Sequence, residues 1–305
     1  MRNKIEICKI CNSKLSNSEL ITDFIYGDKT KKKHFFKCKS CHVIYQKPFF
    51  KKKEEQKFYK QEFEKFMSSR AGKDSGWLNA TKHIQANNQT FKRRYNFLKK
   101  HLKKRDKILE IGCSSGFMLF PLVKKNMKCY GIEPSNVFYN FLKNKKMNVF
   151  KSIAHLKNNI KGLKFDLIMH FFVFEHMANP KKFILEKLKL LKKGGIIIFE
   201  VPSYSDALFS LYKIKSFKKF YFSVVHPWYF NMKSMRILLN SLNLKYKIKY
   251  HQRYSIDNHI NWLMSGKPGG SKYLKQLLGD KLNSIYKLNL EKSGYADTLF
   301  VEIEK

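Results

Sequence analysis

Between residues 106 and 205, short apolar runs alternate with amphipathic stretches. Residues 107–111, 129–133, 165–170 and 195–201 are brief, apolar, and bounded by polar or glycine positions, so each reads as a buried strand. The stretch that starts near Phe117 and the stretch 183–191 read as helices. This alternation predicts a parallel sheet with helices on both faces. Upstream, residues 51–105 are charged and aromatic. Phe91, Tyr95, Leu98 and Leu102 share one face of a helix over 87–102, and the segment reads as a helical linker or lid. Downstream, 206–305 is less regular. Residues 245–250 are a candidate strand and 297–303 a clearer one, with a helical insertion and a loop at 266–270 between them. Residues 1–50 hold only short segments, His34-Phe35-Phe36-Lys37 and Val43-Ile44-Tyr45. Four parts are therefore expected: 1–50, 51–105, 106–205 and 206–305.

Cysteine gives the first part a chemistry. Cys8/Cys11 and Cys38/Cys41 are two Cys-x-x-Cys pairs, while Cys113 and Cys129 stand apart. No apolar run reaches the length of a membrane span, and the first residues lack the apolar stretch of a signal peptide, so a cytoplasmic protein is expected. In that setting two such pairs read as metal ligands before disulfides. Four thiolates in a tetrahedron suit zinc, and a module this small needs the metal to fold. A zinc ribbon is expected, although the gap 12–37 is longer than usual, and His34 or His42 is an alternative ligand.

Composition adds an extreme charge. Lys+Arg number 62 and Asp+Glu 23, a formal net of +39. One reading is a surface for nucleic acid or anionic membrane. The other is compositional drift of an AT-rich genome, since the excess is mostly Lys, spread along the whole chain, while Arg is scarce. An anionic substrate fits either.

The central motif is Ile108-Leu109-Glu110-Ile111-Gly112-Cys113-Ser114-Ser115-Gly116: a strand, a glycine-rich turn, then a helix. Gly112 and Gly116 allow the backbone close to a ligand at the carboxyl end of the strand. The pattern is E-x-G-x-x-x-G and not the G-x-G-x-x-G of a dinucleotide site. Glu110 would repel a pyrophosphate but suits a cationic amino acid. At the end of the next strand, Gly131-Ile132-Glu133-Pro134-Ser135 places a carboxylate that can accept from both ribose hydroxyls of an adenosine.

These residues resemble the S-adenosylmethionine (SAM) motifs of class I methyltransferases. The resemblance covers roughly 90–205 and implies an α/β, Rossmann-like, seven-stranded sheet with one antiparallel strand near the C-terminus, a role for 297–303. It implies that Glu110 and Gly112, with Cys113 and Gly116 of the same turn, border the methionine part of SAM, and that Glu133, followed by Pro134, meets the ribose. It also places His170 and Phe171 beside the methionine moiety. After them comes Phe174-Glu175-His176-Met177-Ala178-Asn179-Pro180. His176 is a candidate catalytic group or a helix cap. In some relatives a Glu-His pair helps hold a metal near the substrate.

A ribbon ahead of a SAM domain, then Glu200-Val201-Pro202 and Val225-His226-Pro227-Trp228-Tyr229-Phe230, resembles bacterial sugar methyltransferases, including those that methylate carbon of deoxysugars. The resemblance implies His226 as an active-site base with Tyr229 nearby; a structural histidine at the His-Pro turn is the alternative. The fuller pattern has a histidine where Trp228 stands and a further C-terminal domain, so O-, N- and C-methylation all stay open. The function expected is methyl transfer from SAM to a small acceptor such as a nucleotide-linked sugar. The alternatives are an RNA methyltransferase and a non-catalytic zinc-ribbon protein.

Overall fold

A computed structural model describes residues 7–15, 18–49, 58, 62–72 and 76–305. Among them, eleven strands form two sheets. The larger has seven strands in the order β10-β11-β8-β7-β4-β5-β6: β4 (Lys107–Ile111), β5 (Lys128–Ile132), β6 (Asn148–Phe150), β7 (Phe165–Phe171), β8 (Leu191–Pro202), β10 (Lys245–His251) and β11 (Thr298–Glu304). β4 runs parallel to β5 and β7, and β5 to β6. Phe165 N donates to Leu190 O and Phe172 N to Glu200 O, so β8 also runs with β7. β11 runs against β8, because Gly194 N meets Lys305 O while Ser203 N meets Asp297 O. This is the mixed, Rossmann-like sheet expected of a class I methyltransferase.

The chain divides into two compact units. One comprises 50–171, 185–198 and 303–305. Its central strands are apolar almost throughout, as strands covered on both faces must be. Connecting helices start on side-chain caps: Ser135 accepts from Phe138 N ahead of Asn136–Asn144, and Asn79 from Lys82 N ahead of Ala80–Ala86. The segment expected to be helical upstream of the sheet contains Phe63–Ala71, Ala80–Ala86 and Asn88–Leu98.

The other unit comprises 1–49, 172–184 and 199–302. Here β1 (Glu19–Thr22), β2 (His34–Lys37) and β3 (Ile44–Lys47) form an antiparallel sheet that β9 (Trp228–Tyr229) extends. The first 49 residues thus share a unit with much later sequence, where a free-standing ribbon over 1–50 was expected. A two-residue strand has no periodicity to reveal it.

Two boundaries differ from expectation. The helix placed at 183–191 is Pro180–Leu188, with Pro180 at its first position, where a missing N–H costs nothing. Leu191 instead opens β8, four residues before the strand expected from Gly195; Lys305 O and N hold Gly194 and Gly195 there. The helix expected near Phe117 begins at Leu119, after a turn at 117–118. Among the described residues, no helix is long and apolar enough to cross a membrane.

Candidate functional site

In the unit containing 50–171, the turn after β4 is built on left-handed backbone. Gly112, Ser114 and Gly116 have φ of 71°, 44° and 77°. A Cβ on Gly116 would lie 2.6 Å from Leu142 Cδ2 and 3.2 Å from Phe120 Cε2. Gly116 therefore serves the packing of the turn on its own helices, where sequence reasoning assigned it to ligand approach. Cys113 is fully buried; its Sγ would lie 2.6 Å from a Cβ on Gly131, so its side chain faces the core and only its backbone belongs to the turn.

Glu133, at the end of β5, closes that turn. Its carboxylate accepts from Ser114 N at 2.6 Å and from Ser135 N at 2.8 Å, while Pro134 between them is exposed. Burial lifts the Glu133 carboxyl to about 7; the two backbone N–H groups oppose the shift and Glu64 adds to it. Glu110, in β4, is buried, and its Oε2 has no hydrogen-bond partner among the described residues. Burial pushes its carboxyl well above the usual range, and the Arg94 guanidinium pulls it back. His170 at the end of β7 is buried, and burial drops its imidazole to about 3, so it is neutral at physiological pH. Phe171 is buried beneath Arg94, whose Cζ lies 4.0 Å from the ring centroid.

Sequence reasoning missed the upstream residues here. Glu64 accepts a short hydrogen bond from Ser135 Oγ. His83 Nδ1 lies 2.8 Å from Ser115 Oγ, and its ring packs against Trp77 and Phe138. Arg94 is buried. The one sequence signal was Arg94 itself, a scarce residue in a helix otherwise served by Lys.

In the unit containing 199–302, candidate ligand atoms of Glu175, His176 and His226 lie within 4.8 Å of one another. The two rings meet edge to face, centroids 4.7 Å apart. His176 is buried in a single 3-10 turn, Phe174–His176, and contacts Val225 O; it caps no helix among the described contacts. Tyr229 is fully buried, 3.2 Å from His226 Nδ1. Burial pushes the Glu175 carboxyl up to about 8, against the pull of Arg253. Nearby in the same unit is a hollow lined by Ile7, Lys9, Tyr45, Lys47, Phe49 and Trp228. Trp228 Nε1 donates to Met177 O and Lys9 Nζ to Ala178 O, directly after the Glu-His pair.

The four N-terminal cysteines come together in this unit. Cys8 Sγ lies 3.7 Å from Cys41 Sγ, and Cys11 Sγ 3.7 Å from Cys38 Sγ, with no disulfide. The two knuckles repeat one backbone pattern: Asn12 N donates to Cys8 O and His42 N to Cys38 O, with Asn12 and His42 both at φ 62°. Zinc–sulfur bonds of about 2.3 Å in a tetrahedron set sulfurs about 3.8 Å apart, which this spacing matches. His42 Nε2 meets Lys233 Nζ, and the cluster of candidate ligands contains neither His42 nor His34.

Residues 82–247 match the family described as "Methyltransferase domain". A tRNA U34 carboxymethyltransferase of Sulfurovum sp. (strain NBC37-1) is 28% identical over 35% of this chain and 38% of its own length. A ubiquinone biosynthesis O-methyltransferase of Pelagibacter ubique (strain HTCC1062) is 32% identical over 30% of this chain and 40% of its own. The chain thus spans about two-fifths of these curated relatives. A crystal structure of a SAM dependent methyltransferase from Archaeoglobus fulgidus superposes with a TM-score of 0.51 at 17% identity, over 80% of this chain and 100% of that one, which shows a shared fold. The family match takes in more than half of the residues, from the helix that holds His83 through β10, and by it the chain belongs to the methyltransferase domain family.

Proposed function

We propose that the chain binds SAM at Glu110, Glu133 and the 112–116 turn and transfers its methyl group to a hydroxyl of a small-molecule acceptor. The observation that carries this reading is the carboxylate of Glu133, clamped by Ser114 N and Ser135 N where the glycine turn and β5 end together. Its two oxygens keep acceptor capacity for two ribose hydroxyls. The buried, unpartnered Glu110 Oε2 suits an ammonium group, and Arg94 beside it suits an amino-acid carboxylate. Gly112, His170 and Phe171 complete the surroundings of the methionine part. When bound, SAM supplies a sulfonium methyl group for in-line displacement; the residues around it orient both reactants and exclude water.

A ribose hydroxyl donates to a carboxylate, so cofactor binding needs ionised Glu133. With that carboxyl raised to about 7, affinity is expected to fall about tenfold per pH unit below it and to level off above it. Calorimetric titration between about pH 5.5 and 8.5 measures this. A flat profile would remove Glu133 from the site.

A hydroxyl acceptor needs somewhere for its proton to go. His226, seated on Tyr229, is the candidate base, with His176 beside it. His226→Ala is expected to lower turnover about 100-fold or more while leaving SAM affinity within about twofold. Full turnover in that variant would make His226 structural. The acceptor class that suits the aromatic hollow of Tyr45, Phe49 and Trp228, with Lys9 and Lys47 at its wall, is a sugar on an anionic carrier. Nucleotide-linked sugars, assayed by release of S-adenosylhomocysteine, test this.

A second reading draws on the tRNA-directed relative and the +39 charge: an RNA acceptor. It requires RNA binding that weakens steeply with salt. The four cysteines are proposed to hold one structural zinc ion; their sulfur spacing supports this.

A further inference from the structure

We propose that Glu175, His176 and His226 together bind a divalent first-row transition-metal cation, at a site separate from the four cysteines. Two imidazoles and one carboxylate within 4.8 Å of one another are a nitrogen–oxygen donor set of the kind such cations favour.

Hydrogen-bond inventory fixes both rings in the same tautomer. Val225 O can only accept, so His176 Nδ1, 2.6 Å away, carries that ring's proton. Tyr229 has a single hydroxyl proton and gives it to Tyr221 O at 2.6 Å. The same oxygen accepts from Ser223 N at 2.9 Å, so at 3.2 Å it accepts again, from His226 Nδ1. Each neutral ring therefore keeps its basic electron pair on Nε2. Ligating histidines are held in this way, one nitrogen fixed by a carbonyl or hydroxyl and the other on the metal.

Glu175 supplies the negative charge. It is fully buried, and neither carboxylate oxygen has a hydrogen-bond partner among the described residues. An ionised carboxylate in that position is costly unless a cation compensates it. Arg253 acts on Glu175 only through its field and is hydrogen-bonded to Asp297 at 3.1 Å. Glu200 adds a second negative charge to the field. A dication on the three side chains satisfies the Glu175 carboxylate and uses both basic nitrogens at once. It would also polarise an acceptor hydroxyl; that consequence rests on the methyl-transfer reading, whereas occupancy of the site does not.

Zinc is the probe. The full chain is equilibrated with excess zinc, passed over a chelating resin and assayed for metal. About two equivalents are expected in the wild type and about one in Glu175→Gln and in His226→Ala. Glu175→Gln keeps the shape of the side chain, and the unfolding midpoint of both variants checks their folding. Replacing zinc with cobalt separates the two sites, because thiolate-to-cobalt absorption is expected to persist in both variants. Equal metal content in the wild type and both variants would overturn the proposal. So would loss of the thiolate signal along with the second equivalent.

Discussion

Glu133→Ala is expected to weaken SAM binding by two orders of magnitude or more. The substitution removes two charge-assisted hydrogen bonds to the ribose, each worth about 1.5–3 kcal/mol, and about 1.4 kcal/mol is a factor of ten. It also strips Ser114 N and Ser135 N of their acceptor, so the turn that borders the methionine part loses its clamp. Glu133→Gln separates the two effects. An amide oxygen can still accept from one of the N–H groups but carries no charge, so an intermediate loss is expected. Calorimetry with SAM reads both variants, and an unchanged dissociation constant in Glu133→Ala would refute the cofactor site.

Loss of the zinc site is expected to have a comparably large effect on the fold. Structural zinc binding by thiolates is worth about 10–16 kcal/mol in small modules, as much as the whole stability of a typical domain, about 5–15 kcal/mol. Cys38 and Cys41 sit at the turn between β2 and β3, and β3 carries β9. Cys38→Ala, or treatment with a strong chelator, should therefore release the pairing of Ile44 and Tyr45 with Tyr229 and Trp228, and not the knuckles alone. Hydrogen exchange reads this directly. Fast exchange across 34–47 and at 228–229 is expected, with slow exchange kept in β4, β5 and β7. Unchanged protection at 34–47 after metal removal would show that the cysteines hold no structural ion.

The sequence was most legible where chemistry and local structure coincide. Glu110, Gly112 and Glu133 stand at strand ends that an apolar run marks, so their neighbourhood follows from the strand-turn-helix pattern. The seven-stranded order with β11 reversed follows from the same alternation together with the family resemblance. Less legible was anything assembled across long separations. Arg94 and Glu64 read as surface charges on helices, yet burial beside Glu110 and Ser135 gives them partners that no local pattern announces. His176 meets Val225, 49 positions away, and the tautomers of His176 and His226 depend on a carbonyl and a tyrosine hydroxyl that only the fold brings to them. β9 was hidden because two residues cannot display a period, and with it the continuity of the cysteine sheet with later sequence. Gly116 was recognised but for the wrong neighbour: Leu142 and Phe120 need the space its missing Cβ leaves.

Calorimetric titration of the zinc-replete, folded chain with SAM and with S-adenosylhomocysteine tests the central claim most directly. One site with a dissociation constant on the order of micromolar is predicted, a binding free energy of about −8 kcal/mol. No detectable heat with either compound would contradict it and leave a methyltransferase fold without its cofactor.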